Sequence, residues 1–392
     1  MDCLPTEITT QILSRLPIQS VFRCRSVCKP WKKIIDFHQF TQLHFTKSFQ
    51  QEEETSFGKK NPFTFIFIPK DCHAVYFVEQ GPKNPYIFKS TRITFLSRPP
   101  SVIMSYKNLF TNGLLCLPSN EPINEECFTY VCNPVTQDCI MLPKFITTSH
   151  VKSLHLPAFG FDHSNKVFKV VQLFYLLDSD GMKYEAQVFT LGTNSWRKLE
   201  NVPKMKCCLN STAAVNGSVH WFTECEYTER KIMSFNLASE KFGYIELPES
   251  CRSREGKFRL TNLNGWLSLF NVNRDDHIGV WVMKDYNVQA SWTKFVMRRN
   301  NEMMFMDIVP ISFWKNGEIL LLGGIIDLFS YNFDTKEYTY FRVDGLPMSD
   351  YDINIHEHLD SCWKFLRATP PYFMSSKILT LELPHTCSIP AT

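Results

Sequence analysis

The feature that most restricts the fold of this chain is a repeat. Asn-Gly pairs stand at Asn112-Gly113, Asn216-Gly217, Asn264-Gly265 and Asn316-Gly317. An aromatic follows a polar turn at Trp196, Phe242, Trp292 and Tyr338. Segments end in Leu142-Pro143, Val202-Pro203, Leu247-Pro248 and Leu346-Pro347. The three series share a period of about 50 residues, the length of a four-stranded propeller blade. Between the markers lie short β-branched and aromatic runs, such as Phe63 to Ile68, Val167 to Val171 and Ile278 to Val282. A blade cannot bury both faces alone, so it needs neighbours and a closed ring. The spacing therefore predicts Asn-Gly hairpin turns within blades, with the recurring aromatic wedged between blades. The span from about residue 62 to 385 divides into six or seven such units. Strands near Cys362–Leu366 and Ile378–Leu383 complete the ring beside the first.

The beginning of the chain follows a different rule. Pro5 suits a first helical turn, where its missing N–H has no partner to lose. Ile8, Ile12 and Leu16 recur at i, i+4 and i+8 and make an apolar stripe, with Leu13 beside it. Pro17 closes that helix and opens a second, which carries Val21, Phe22 and Val27. Pro30 disfavours helical geometry at Lys29, so a third helix starts near there and holds Trp31, Ile34 and Ile35. Three helices in about 35 residues supply too little core to stand alone. Each large apolar side chain left in water forfeits roughly 1.5–3 kcal/mol. The stripe therefore needs a partner, either the rest of the chain or another protein. A polar stretch from Gln50 to Lys60 lacks periodicity and marks the junction. The expected organisation is a helical module at 1–45, a linker at 46–61 and an all-β region at 62–392.

The N-terminal residues resemble an F-box. The motif runs Leu4-Pro5, Glu7-Ile8, Ile12-Leu13, Leu16-Pro17, Ser20-Val21, Arg23-Cys24-Arg25, Val27-Cys28-Lys29 and Trp31. The resemblance implies docking to a Skp-family adaptor and, through it, to a cullin-based ubiquitin ligase. It marks Leu4, Pro5, Ile8, Ile12, Leu13, Leu16, Pro17, Val21, Cys28 and Trp31 as adaptor contacts or their supports. A helical cap packed on the following domain is the alternative.

The later repeats resemble the F-box-associated domain of plant-type F-box proteins. The matching residues include Asn133-Pro134-Val135-Thr136, Gly160-Phe161-Asp162, Ser195-Trp196-Arg197 and Val215 through Trp221. Phe235-Asn236-Leu237, Glu240-Lys241-Phe242, Trp281-Val282-Met283-Lys284 and Ser291-Trp292-Thr293-Lys294 continue the series. Cys132 and Asn236 depart from that family's usual Trp and Asp. A kelch propeller would repeat a Gly-Gly pair in every blade, and this chain has only Gly323-Gly324. The resemblance implies a small all-α F-box module followed by an all-β propeller of six or seven four-stranded blades. The implied role is a non-catalytic substrate receptor that brings a target protein to ubiquitylation and proteasomal degradation. A propeller that binds a small molecule or glycan is an alternative, as is a scaffold whose adaptor contact serves assembly.

Composition narrows the classes further. A net charge of +3 over 392 residues creates no global field toward nucleic acid or membrane. The basic side chains of the first 36 residues fall on the F-box motif and read as a solvated helix face. No apolar run approaches the ~20 residues of a membrane span. Asp2, Pro5 and Glu7 occupy positions where a secretory leader needs apolar residues. Cytosolic or nuclear placement with reduced thiols follows as the expectation for the 14 cysteines.

No nucleophile elbow, phosphate loop or dinucleotide fingerprint appears. Cys24 and Cys28, Cys207-Cys208 and His356-Glu357-His358 lack metal-ligand spacing. His220 reads as a satisfied strand histidine rather than a channel ligand. The expectation is no cofactor, no metal, no nucleic acid and no membrane partner. The target-binding residues are unassigned; Asp178-Ser179-Asp180-Gly181, Glu224-Cys225-Glu226 and Arg252-Ser253-Arg254 are exposed loop candidates.

Overall fold

A computed structural model of the chain describes residues 4–16, 18–35, 40, 43, 64–68, 75–80, 84, 86–93, 110–111, 113–118, 128–133, 138–145, 151–154, 157–178, 181–203, 208–224, 230–252, 256–271, 276–300, 303, 308–314, 317–323, 327–345 and 364–367. The expected linker at 46–61 lies outside these residues, as do Pro17, Cys207, Ile378–Leu383 and His356-Glu357-His358.

Three short helices come first: α1 (Thr6–Leu13), α2 (Ile18–Arg25) and α3 (Lys29–Ile35). Strands follow as β1 (Thr64–Ile68), β2 (Val75–Gln80), β3 (Ile87–Ile93), β4 (Phe110–Thr111), β5 (Leu114–Pro118), β6 (Thr129–Asn133) and β7 (Asp138–Met141). Next are β8 (Val151–Leu154), β9 (Ala158–Asp162), β10 (Val167–Asp178), β11 (Gly181–Thr190) and β12 (Arg197–Lys198). The middle of the chain supplies β13 (Cys208–Val215), β14 (Ser218–Glu224), β15 (Lys231–Asn236) and β16 (Lys241–Ile245). It continues with β17 (Phe258–Leu263), β18 (Trp266–Asn271), β19 (His277–Met283) and β20 (Trp292–Arg298). Last come β21 (Ile308–Phe313), β22 (Ile319–Gly323), β23 (Asp327–Tyr331), β24 (Tyr338–Asp344) and β25 (Lys364–Arg367).

These strands form five sheets, which corrects the expectation of six or seven separate blades. Strands β4–β7, β13–β16 and β17–β20 each make a four-stranded antiparallel meander. A five-stranded sheet holds β12-β11-β10-β8 with β9 also paired to β10. The fifth sheet has eight strands, in the order β21-β22-β23-β24-β3-β2-β1-β25. Its two halves meet where β24 pairs in parallel with β3, through Arg342↔Ile87, Val343↔Phe88 and Asp344↔Lys89. Val78, Phe88, Ile311, Leu320 and Leu328, from both halves, also share one core cluster. Among the described residues the propeller thus has five blades, one of double width. β25 pairs antiparallel with β1, so the chain's late strand joins its earliest one.

Burial of both strand faces explains why the sheets stack. In β10, Phe168 and Val170 pack toward Val131 and Phe159, whereas Val171 and Leu173 pack toward Trp221 and Phe235. Alternation along one strand thereby feeds two inter-sheet cores. The recurring aromatics add a polar latch to this packing. Trp196 Nε1 donates to the Pro143 carbonyl at 2.6 Å, and Trp292 Nε1 donates to that of Glu246 at 2.9 Å. Tyr338 Oη donates to the Arg298 carbonyl at 2.8 Å. Each donor opens the outer strand of one strand set, or lies just before it, and each acceptor ends the preceding set or lies just past it.

At the turns, Asn216 and Gly217 have φ of 50° and 65°, and Asn264 and Gly265 have φ of 54° and 87°. Two consecutive positive values are the type I′ geometry that the Asn-Gly pairs predict. Cys132 and Cys139 face each other across β6 and β7 and are joined by a disulfide, which corrects the expectation of reduced thiols for this pair. No helix among the described residues is long and apolar enough to cross a membrane.

Candidate functional site

The helical module presents two unlike faces. Pro5 caps α1 with an extended backbone, and its carbonyl accepts the Thr9 N–H at 3.0 Å. The helix therefore begins one residue later than the proline itself, and it ends at Leu13 rather than running on to Leu16. One face buries Thr9 and Leu13. Leu13 joins Val21 of α2, Ile35 of α3 and Phe40 in a small core, with Leu16, Cys24, Trp31 and Ile34 partly buried against it. Leu13 and Val21 are 1% and 0% exposed.

The other face remains in solvent. Leu4, Ile8 and Ile12 are 59%, 47% and 49% exposed, and Val27 is 64% exposed. Pro5 and Cys28 are exposed too. The stripe expected from Ile8, Ile12 and Leu16 is therefore split: the first two form an open row on α1, and Leu16 turns into the core beyond the helix end. Val27 escaped the sequence-derived set because it follows α2 and belongs to no periodic stripe. Its Val-Cys-Lys context was the one available signal.

Burying the exposed parts of Leu4, Ile8, Ile12 and Val27 would recover on the order of 1 kcal/mol each. Exposed large apolar side chains spaced four residues apart on and just before one helix, as Leu4, Ile8 and Ile12 are, mark a contact surface more than scattered ones do. Lys29, Lys32 and Lys33 on α3 are exposed and add positive charge to the module.

Elsewhere, His220 and Lys169 are engaged in structure. His220 is fully buried on β14; Nδ1 lies 3.1 Å from the Ala213 carbonyl and Nε2 lies 2.8 Å from Tyr286 Oη. The geometry fits a neutral ring that donates through Nδ1 and accepts the phenol proton at Nε2. Burial pushes its pKa down to about 4, partly offset by the Ala213 bond. Lys169 Nζ sits 3.0 Å from both Asp162 Oδ2 and Glu240 Oε1, and Arg197 also bonds Glu240. This network ties β9 and β10 to the β15–β16 turn.

Among the described residues no cluster of three His, Cys, Asp or Glu is placed to hold a metal ion. Of the loop candidates, Arg252 pairs with Glu246 at 3.2 Å. Ser179-Asp180, Cys225-Glu226 and Ser253-Arg254 lie outside the described residues.

Comparison with known proteins follows the same division. Residues 1–43 match the F-box domain, and residues 62–366 match the F-box associated beta propeller domain. F-box protein At5g65850 of Arabidopsis thaliana is 30% identical over 312 residues, covering 74% of this chain and 70% of that protein. F-box protein At3g07870 of the same plant is 28% identical, covering 81% of this chain and 78% of that protein. F-box protein CPR1, also from Arabidopsis thaliana, is 24% identical, with 89% and 86% covered.

Proposed function

Because this chain belongs to the family of F-box proteins that carry an F-box-associated β-propeller, we propose that it is the substrate-recognition subunit of a Skp–cullin–F-box ubiquitin ligase. The architecture joins an adaptor-binding module to a target-binding one, and both are characteristically non-catalytic. The reading assigns residues 1–45 to the adaptor, 46–61 to a linker and 62–392 to a protein target.

One observation carries the reading: an open apolar row on a module whose own core is filled. Leu4, Ile8 and Ile12 are exposed while Leu13 and Val21 are buried beneath them. In this account Leu4, Pro5, Ile8, Ile12 and Cys28 touch a Skp-family adaptor. Leu13, Leu16, Val21 and Trp31 hold that surface in shape, and Pro17 is carried with them from the sequence motif. The mechanism is proximity. A target held near a charged ubiquitin-conjugating enzyme experiences a raised effective concentration, and the thioester chemistry belongs to other subunits.

The test is co-purification of the full chain with a Skp-family adaptor, followed by ubiquitylation of whatever protein the propeller retains. A retained protein that accumulates under proteasome inhibition, and stops accumulating when Ile8 and Ile12 are made polar, supports degradation. A retained protein whose level ignores both treatments would contradict it.

A further inference from the structure

Where the β13–β14 and β17–β18 turns approach each other, a cavity of about 180 Å³ opens at the surface. Val215 and Met283 give it apolar walls, and Asn216, Lys284 and Tyr286 line it with polar groups. The Lys284 ammonium lies 3.9 Å from the centre of the Trp266 ring, and 5.7 and 5.9 Å from those of Phe295 and Phe313. The aromatic faces fix the cation by its attraction to their π-electrons. No described carboxylate pairs with it, and neighbouring Asp285 is not part of the lining. Tyr286 is fixed from below by its hydrogen bond to buried His220. The cavity walls are therefore set before anything binds.

Size and charge choose the occupant. Small-molecule pockets usually enclose about 300–1,000 Å³, whereas a hollow of this volume suits one side chain. Its apolar walls suit a short methylene stem, and its rim offers a held positive charge. We propose that this cavity is a recognition subsite for an acidic side chain of a protein partner. The inference rests on reading the propeller as the target-binding part of the chain. It adds the chemistry of one contact: a glutamate or aspartate whose stem lies against Val215 and Met283 and whose carboxylate accepts from Lys284 Nζ.

The test uses the full chain and a fluorescently labelled oligoglutamate peptide, with an oligoglutamine peptide of equal length as control. Wild type binds oligoglutamate more tightly than oligoglutamine. Lys284→Met, which keeps the stem over Trp266 but removes the charge, weakens binding about tenfold. Lys284→Gln gives the same loss, so the result does not depend on one variant remaining folded, and Lys284→Arg retains binding. Lys294→Met removes an exposed cation that lies over Trp281 outside the cavity, and it leaves binding unchanged. Equal affinity for the two peptides, or equal losses on neutralising Lys284 and Lys294, overturns the subsite. Adaptor co-purification is measured on the same preparations. If wild type fails to bind the adaptor, the receptor reading falls independently of the peptide result.

Discussion

Trp196 donates its indole N–H to the carbonyl oxygen of Pro143 at 2.6 Å, across 53 residues of chain and from one sheet to the one before it. Trp292 with Glu246 and Tyr338 with Arg298 repeat the arrangement further round the ring. The recurring aromatic thus fills the space between blades and also satisfies a backbone acceptor where a strand set ends. Trp196→Phe keeps most of the ring and loses the bond. The expected cost is about 1–2 kcal/mol in urea unfolding, because the acceptor is left partly buried. A variant as stable as wild type would remove the latch from the account.

Gly160 opens the single Gly-Phe-Asp triplet of the sequence and sits at a close approach between sheets. A Cβ there would meet Leu237 Cδ1 at 2.6 Å, just past β15, and Val219 Cγ1 at 3.0 Å on β14 of the neighbouring sheet. Gly160→Ala therefore overpacks the junction and costs roughly 1–3 kcal/mol. Thermal denaturation of the variant checks this, and an unchanged midpoint contradicts the close approach.

The Lys169 network predicts sensitivity to acid. Burial alone would raise the Asp162 carboxyl, but hydrogen bonds from Asn165 and the Lys169 ammonium outweigh it and hold it below its ordinary value. Glu240 follows the same pattern: burial raises it, and Arg197 and Lys169 bring it below the usual range. Groups depressed in the folded state lend stability above their unfolded pKa values and lose it as pH falls. Unfolding free energy should therefore drop as pH falls through the carboxylate range. Lys169→Met should lower stability at neutral pH by roughly 3 kcal/mol, since it leaves buried Asp162 without its cation. Urea titrations across pH read both effects.

His220 predicts a second, higher window. Its folded pKa of about 4 lies below the ordinary 6.5, so the unfolded chain binds a proton first. Stability is complete above pH 6.5 and declines between 6.5 and 4, by up to about 3 kcal/mol. His220→Gln should flatten that part of the profile; an unaltered slope would assign it to other groups.

The sequence carried these features unequally. The aromatic series was legible because it recurs at blade spacing, and three of its four members make the same bond. Phe242 has no donor; it packs on Phe235 at 4.8 Å instead. The Asn216-Gly217 and Asn264-Gly265 turns were legible because few other pairs accept two positive φ values, while Asn112 and Asn316 lie outside the described residues. The blade number was not legible. Pairing of β24 with β3 joins residues about 250 apart, and neither strand carries a local mark of its neighbour. Asn264 was recognised as a turn residue, yet its Oδ1 also accepts the Phe313 N–H at 2.8 Å, a contact no spacing reveals. On the helical module the apolar residues were identified, but their division into open row and core depended on α1 stopping at Leu13.

The central claim is that the open row of α1 is a contact surface and not a poorly covered core. The direct measurement is the affinity of the purified full chain for a purified Skp-family adaptor, comparing wild type with Ile8→Ser/Ile12→Ser and with Leu13→Ala. The account predicts that the serine pair abolishes binding while the melting midpoint stays at the wild-type value, and that Leu13→Ala instead lowers the midpoint of the helical module. Wild-type affinity in the serine pair, or a loss of binding matched by equal unfolding, would contradict it.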